Sequence, residues 1–556
     1  MSELGVPVRP ETPDVTGAYR RLTDEQIMLL STYGEKRPID KGEALFREGD
    51  PDCDFFVILS GSVAVLQETE DKPRLIAVHG PKRFLGDLAL LTGQRLYLSA
   101  IAQEPTEVLA LPVDNLKEAA TEDPGLGDLI LRAFLLRRAL HMGIGAGFRI
   151  IGSRFSADTR RLRDFASRNR LSHTWIDLEQ DREAEKILQR LNISPEQTPV
   201  VIWKGRNVLY NPSNAELASL IGLRSPPSGA CDLLVVGAGP AGLAAAVYGA
   251  SEGLSTVVLD ALATGGQAAT SPQIENYLGF PAGISGAELA DRAVIQARKF
   301  GASFTIPAEA VGLSEVDGLH VVRNSVDTDV MAHAVVLATG ARYRRLDVPG
   351  VERLEGASVF YMATEMEANL CRGDPVMVVG GGNSAGQASV FLARHAAAVN
   401  LVIRHDDLGR DMSRYLADRI ERTPGVRVWR NSEVVDLNGE TGLEEVVIKD
   451  LGTGDRQSIR ASAVFVLIGS VPHTQWLNGQ LPLDESGFVV TGQQVTDGAD
   501  PDTPRGPSMF ETARPGVFAV GDVRSGSVKR VASAVGEGAV VVRLVHEHMA
   551  RSRGFS

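Results

Sequence analysis

The spacing of apolar residues changes character several times along the chain. From about 21 to 122, short apolar runs are broken by glycine and charge, as in DFFVILSGSVAVLQ (54–67) and RLIAVHG (74–80). That pattern predicts many short strands. A helical period follows over about 124–142, ending in LRAFLLRRALHM. Residues 147–222 then alternate between the two periods. FRIIGS, HTWIDL and TPVVIW read as strands and TRRLRDFASRN and REAEKILQRL as helices, with a turn at KGRN and a last helix. This is a βαβαβ unit followed by a hairpin and a helix. Residues 1–20 are proline-rich and unpatterned and read as a mobile tail. RSPPSGA (224–230) reads as a linker. From 231 onward two buried strands each run into a glycine-rich turn and a helix, which suggests an internal duplication.

Composition narrows the function classes. The chain has 556 residues, enough for several domains. A net charge of −13 argues against nucleic-acid binding, which needs concentrated Lys and Arg. No apolar run reaches the length of a membrane span. Only Cys53, Cys231 and Cys371 occur, far apart and with no CxxC, so neither a disulfide framework nor a cysteine-rich metal site is expected. A cytoplasmic protein with reduced cysteines is the expectation.

The first glycine turn, VVGAGPAGLAAA, places Gly237, Gly239 and Gly242 between strand and helix, with Pro240 and Ala241 opening the helix. The first glycine allows the tight turn, the second lets backbone approach a pyrophosphate, and the third allows close helix–strand packing. The next strand, STVVLD, ends in Asp260, a carboxylate suited to ribose hydroxyls. Three further stretches belong with it: Gly265-Gly266-Gln267 followed by Ile274-Glu275-Asn276-Tyr277, then Ala338-Thr339-Gly340, and finally VFAVGDV with Gly521 and Asp522. Together these resemble the low-molecular-weight thioredoxin reductases over residues 231–556. The resemblance implies FAD held by these residues, with Gln267, Asn276, Thr339, Gly340 and Asp522 facing it. The family's Arg-Gln-Ala run at the flavin reads Arg530-Val531-Ala532 here, so one amide is lost. The resemblance also implies a homodimer.

The second turn, VVGGGNSAGQ, offers Gly380, Gly382, Asn383, Ser384 and Ala385 to a second dinucleotide. Its following strand ends in Arg404-His405 with no acid at the tip, and Arg410 lies close by. Arginines there suit a ribose 2′-phosphate and favour NADPH. In the family an His-Arg-Arg…Arg pattern serves this role, and Ile403 and His405 replace two of its members.

Thioredoxin reductases carry a Cys-x-x-Cys-Asp run shortly before this turn. Here the frame reads Tyr361-Met362-Ala363-Thr364-Glu365-Met366. A thioether cannot form a thiolate, so the dithiol route to thioredoxin is absent. Two proton donors are expected in its place, Glu365 and His473, each also readable as a plain surface or loop residue.

The N-terminal strands, with GEALFREGD and FLGDLALLTGQRLYLSA, resemble cyclic nucleotide-binding β-rolls. The resemblance implies a nucleotide against Gly86, Asp87, Leu88, Arg95 and Ser99. Its phosphate-binding arginine falls on Leu96, and Arg95 stands one residue early, so nucleotide binding and a bare docking role both stay open. Residues 147–222 resemble a thioredoxin or glutaredoxin fold, with Thr198-Pro199 as its cis-proline loop and Ser153 and Ser156 where cysteines would stand.

The expected architecture is multidomain. A tail (1–20) precedes a β-roll (21–145), a thioredoxin-like α/β domain without active cysteines (146–223) and a linker (224–230). Two nested Rossmann-like three-layer domains follow, one for FAD (231–346 with 473–556) and one for NADPH (347–472). The expected activity passes electrons from NADPH through FAD to a small-molecule or protein acceptor. The alternatives are a ferredoxin or flavodoxin–NADP reductase-like enzyme and a non-enzymatic flavin and cyclic-nucleotide sensor. No metal is expected.

Overall fold

The computed structural model describes residues 9–552 apart from 52, 69–72, 146, 182–185, 190–191, 204–206, 224–228, 272, 327–328, 356, 441 and 496–507. Most of the expected linker, part of the helix over 182–191 and most of the KGRN turn therefore lie outside the described residues. The chain forms two compact units. One comprises Met1–Pro227, Ala261–Ala263 and Arg298–Ala308, the other Ser228–Asp260, Thr264–Ala297 and Glu309–Ser556.

In the first unit, two four-stranded antiparallel sheets form the β-roll. Phe55–Ser60 lies between Thr106–Leu111 and Phe84–Leu85, and Val63–Gln67 between Ser99–Ala102 and Arg74–His79. The unbroken burial of Val63–Gln67 explains why its sequence lacks clean alternation. The long helix Pro124–Gly143 starts where Asp123 accepts the amides of Gly125 and Leu126 at 2.9 and 3.1 Å. Such a cap stabilises a helix by about 1 kcal/mol.

A third sheet follows. Phe148–Gly152 runs parallel to His173–Asp177 and antiparallel to Val200–Trp203, which pairs in turn with Asn207–Tyr210. The Thr198–Pro199 bond is cis. Trp203 is fully buried and meets Tyr97 of the β-roll edge-on at 5.2 Å, so one hydrophobic core spans both parts. Sharing a core makes the boundary at 145/146 a change of topology rather than a break in packing.

The described part of the expected mobile tail is not free. Thr12 donates its amide to Val78 O at 3.0 Å, Glu11 pairs with Arg83 at 2.7 Å, and Ala18 and Tyr19 are buried. One backbone bond and a few isolated side-chain contacts set up no periodic pattern, which is why residues 9–20 read as unstructured.

In the second unit, Cys231–Val236 lies between the parallel strands Thr256–Leu259 and Val330–Leu337, and Val517–Ala519 extends the sheet beyond the latter. Strands covered on both faces read as continuous apolar runs. The helix Pro240–Ser251 is apolar on nearly every face because Ala241–Val247, Gly249 and Ala250 are buried, with Val531–Ser552 lying against it. The chain leaves through Ala341–Tyr343 and returns through Ser470–Pro472, which pair antiparallel. Between them a five-stranded parallel sheet places Pro375–Val379 between Ala398–Val402 and Ala463–Val466. Among the described residues no helix is long and apolar enough to cross a membrane.

Candidate dinucleotide sites

Side-chain volume explains the first glycine turn. A Cβ on Gly242 would stand 1.8 Å from Gly237 O, so only glycine lets helix and turn close. On Gly239 the nearest atom would be 4.0 Å away, at Gly266 Cα, which leaves open space above the turn. The helix starting at Pro240 has no side-chain cap, so its first amides remain available to an anion. An uncapped 12-residue helix facing open space fits a pyrophosphate.

The other flavin-side residues gather on this turn. Asp260 Oδ2 accepts the amide of Ala238 at 2.8 Å, and Gly265 donates its amide to Ala238 O at 2.7 Å. Those bonds tie the carboxylate and the Gly265-Gly266 segment to the turn. Gln267 donates its side-chain amide to Ala341 O. Gly521 donates its amide to Glu537 Oε2 at 2.7 Å, and Glu537 pairs with Arg524 at 2.6 Å. Burial raises the carboxyl of Asp522, partly offset by Lys529. Asn276, Arg530 and Ala532 are exposed, with Val531 opening the last helix.

The Thr339 hydroxyl donates to His473 O at 3.0 Å, which ties the glycine turn to the residue after the returning strand. Sequence reasoning missed Glu537, which stands between Gly536 and Gly538 on an apolar helix. A lone carboxylate flanked by glycines was the available signal.

The second turn repeats the geometry. A Cβ on Gly380 would meet Leu467 O at 2.2 Å, while Gly382 has no neighbour closer than 3.8 Å. The helix Asn383–Leu392 again has no side-chain cap on Gly382. Ala385 is buried, Ser384 is exposed, and Asn383 Oδ1 accepts the amide of Ser413 at 2.7 Å. Arg404 is exposed and forms no ion pair among the described residues. Arg410 reaches His405 Nδ1 at 3.2 Å, and His405 Nε2 lies 3.8 Å from Asp411. The residues present fit a dinucleotide, with Arg404 and Arg410 available to a 2′-phosphate.

The expected proton donors are placed in separate local pairs. Glu365 opens the helix Glu365–Leu370 and stands 3.7 Å from His395. His473 stands beside the link strands, 3.5 Å from Glu309. Neither contact brings the two together. The cysteines offer no substitute dithiol. Burial pushes the Cys371 thiol up to about 11 and that of Cys231 to about 12. All three are free.

In the β-roll, Gly86 and Asp87 stand at the start of the helix Leu88–Thr92, where Asp87 Oδ1 accepts the amide of Ala89 at 2.7 Å. Leu88 is core. Arg95 and Ser99 do not fill the role expected of them. Arg95 donates to Gly49 O at 3.0 Å, and Ser99 Oγ accepts the amide of Glu48 at 2.9 Å, so both brace the loop at 47–50. The one-residue offset from the family pattern turns the guanidinium away.

Comparison with known proteins agrees with this geometry. Residues 231–538 match the model of the pyridine nucleotide-disulphide oxidoreductases, and 36–123 match the cyclic nucleotide-binding domain. The chain is 33% identical to the thioredoxin reductase of Streptomyces clavuligerus, covering 55% of this chain and 90% of the relative. It is 34% identical to that of Treponema pallidum, covering 56% and 94%. Among solved structures, T. acidophilum thioredoxin reductase aligns with a TM-score of 0.53 at 29% identity over 58% of this chain and 99% of that one. Lactococcus lactis thioredoxin reductase in its FR conformation aligns at 0.52 and 26% identity over the same shares. The chain belongs to the pyridine nucleotide-disulphide oxidoreductase family, as a thioredoxin reductase-like, FAD-dependent NAD(P)H oxidoreductase with an N-terminal cyclic nucleotide-binding-type domain.

Proposed function

We propose that this enzyme takes electrons from NADPH and delivers them from its flavin to an acceptor without a dithiol relay. The observation that carries this reading is the relay position itself. Met362 and Glu365 stand where the two cysteines would, and the nearest cysteine in sequence, Cys371, donates its buried thiol to Glu367 O at 3.2 Å. The chemistry that the two cofactors supply when bound is hydride transfer and two-electron delivery. The protein's part is to hold and orient them. Residues 231–346 with 473–556 hold FAD through Gly237, Gly239, Asp260, Gly521 and Asp522, and residues 347–472 hold NADPH through Gly380, Gly382, Arg404 and Arg410.

Residues 146–223 are read as a thioredoxin-like domain that has lost its redox function. The strand order, with Phe148–Gly152 between parallel His173–Asp177 and antiparallel Val200–Trp203, supports this. Ser153 and Ser156 cannot form a disulfide. Ser153 instead donates to Glu179 at 2.6 Å, and Ser156 caps the helix Ala157–Arg168. The domain then serves to hold a partner or substrate.

Anaerobic mixing of the FAD-loaded protein with NADPH, followed by a panel of quinones, ferredoxins, disulfides and oxygen, tests the reading. Rapid bleaching of the flavin and its reoxidation by an acceptor are expected. Flavin that NADPH does not reduce would remove the enzyme reading.

A further inference from the structure

Residues 11–19 cross the β-roll as an irregular strap held mostly by polar contacts. At one end Thr12 donates its amide to Val78 O at 3.0 Å, and its Oγ1 accepts the Val78 amide at 2.8 Å. Arg83 donates Nη1 to Thr12 O at 2.7 Å and pairs through Nε with Glu11 at 2.7 Å. Arg21 meets the same carboxylate at 2.6 Å. At the other end Asp14 Oδ1 accepts the amides of Gly17 and Tyr19 at 2.8 and 3.0 Å, which folds the chain into a turn. Between the two ends Val15 is 88% exposed. Surface polar contacts are individually weak, so the strap can lift without unfolding the roll.

The turn carries Ala18 and Tyr19 inward, and both are buried. The Tyr19 ring meets His79 edge-on at 5.2 Å and lies 5.9 Å from the guanidinium carbons of Arg83 and Arg137. With Gly86, Asp87, Leu96 and Arg137 it lines what is left of the roll's interior pocket, a cavity of about 30 Å³. That is room for about two waters, beside the Gly86-Asp87 pair against which a nucleotide is expected. The strap also engages the buried cation of the pocket. Arg137 Nε donates to Ala18 O at 2.8 Å, while Nη1 and Nη2 are held by Gly86 O and Phe84 O.

We propose that residues 11–19 are an autoinhibitory strap: with Tyr19 seated the pocket is closed, and a cyclic nucleotide enters only when the strap lifts. Lifting removes the tyrosine ring and returns the Nε donor of Arg137 to the pocket in one movement. The apparent affinity is then the intrinsic affinity reduced to the fraction of molecules with the strap lifted, so whatever loosens the strap tightens binding. The inference rests on the cyclic nucleotide-binding match and not on the route of the electrons, so either can fail without the other.

The test is calorimetric titration of the full-length, FAD-loaded protein with cyclic AMP and with cyclic GMP. The double variant Glu11→Ala/Thr12→Ala removes the outer anchors and alters no residue that lines the cavity. It is expected to bind the preferred nucleotide at least about tenfold more tightly than the parent. Tyr19→Ala, which empties the seat and leaves the anchors, should shift affinity in the same direction and serves if the double variant fails to fold. In the parent, saturating nucleotide should speed hydrogen–deuterium exchange across residues 11–22. Equal affinity in parent and variants, no binding of either nucleotide to any of the three proteins, or nucleotide bound to the parent with exchange of the strap unchanged would each overturn the proposal.

Discussion

Arg419 Nη1 lies 2.9 Å from both carboxylate oxygens of Glu275, joining a helix of the nicotinamide half to the Ile-Glu-Asn-Tyr loop of the flavin half. Both side chains are about one-third exposed, so the pair contributes about 0.2–1 kcal/mol and is weakened by salt. Arg419→Ala should change the rate of flavin reduction by NADPH by no more than about fivefold. It should also flatten the dependence of that rate on ionic strength, read by stopped-flow absorbance from low to high salt. A variant rate as salt-sensitive as the parent's would show that the pair does not link the halves.

The nicotinamide preference rests on Arg404 and Arg410. A charge-assisted hydrogen bond contributes about 1.5–3 kcal/mol, which is roughly tenfold to hundredfold in binding. Arg404→Ala should raise KM for NADPH by that order and leave KM for NADH unchanged. Steady-state kinetics with both nucleotides check it, and equal loss with both would reject the role.

The pair Arg524–Glu537 is largely buried, and Glu537 also holds Gly521. Removing one partner leaves an uncompensated charge and costs about 3–5 kcal/mol. Glu537→Ala should lower the melting temperature and reduce the FAD retained per chain through purification, because the Gly521-Asp522 turn loses its anchor. Full flavin content in the variant would separate the pair from cofactor binding.

The buried thiols set a pH dependence. A thiol must ionise to react. With Cys371 at about 11 and Cys231 at about 12, both are almost wholly protonated at pH 8 and gain reactivity only as pH rises toward those values. Iodoacetamide at pH 8 should leave both unmodified in the native protein by mass spectrometry and label them after denaturation. Rapid native labelling of Cys371 would show that it is exposed during turnover.

The glycine turns were legible in the sequence because each rests on a steric requirement that only glycine meets, as at Gly242 against Gly237 O and Gly380 against Leu467 O. Asp260 was legible because a strand tip fixes its place. The side chains that reach across the fold were not. Glu537 meets Gly521 from a helix beginning ten residues later, and Arg137 meets Gly86 from 51 residues away. Neither lies in a local motif. Arg137 does sit three residues after Phe134 on the apolar face of its helix, and a cation on such a face was the trace available. The packing of residues 9–20 was hidden for another reason, since isolated contacts set up no periodic pattern. Arg95 misled because a one-residue offset turns its side chain to Gly49 O.

The central claim is that electrons leave the flavin without a cysteine relay. It is tested most directly by measuring anaerobic reoxidation of the NADPH-reduced flavin in the parent and in a variant with Cys53, Cys231 and Cys371 all changed to Ser, using oxidised thioredoxin and the best acceptor from the panel. The account predicts the same reoxidation rate by that acceptor in both proteins and little or no turnover with thioredoxin in either. Thioredoxin turnover at about 1–1000 per second in the parent, abolished in the triple variant, would contradict it.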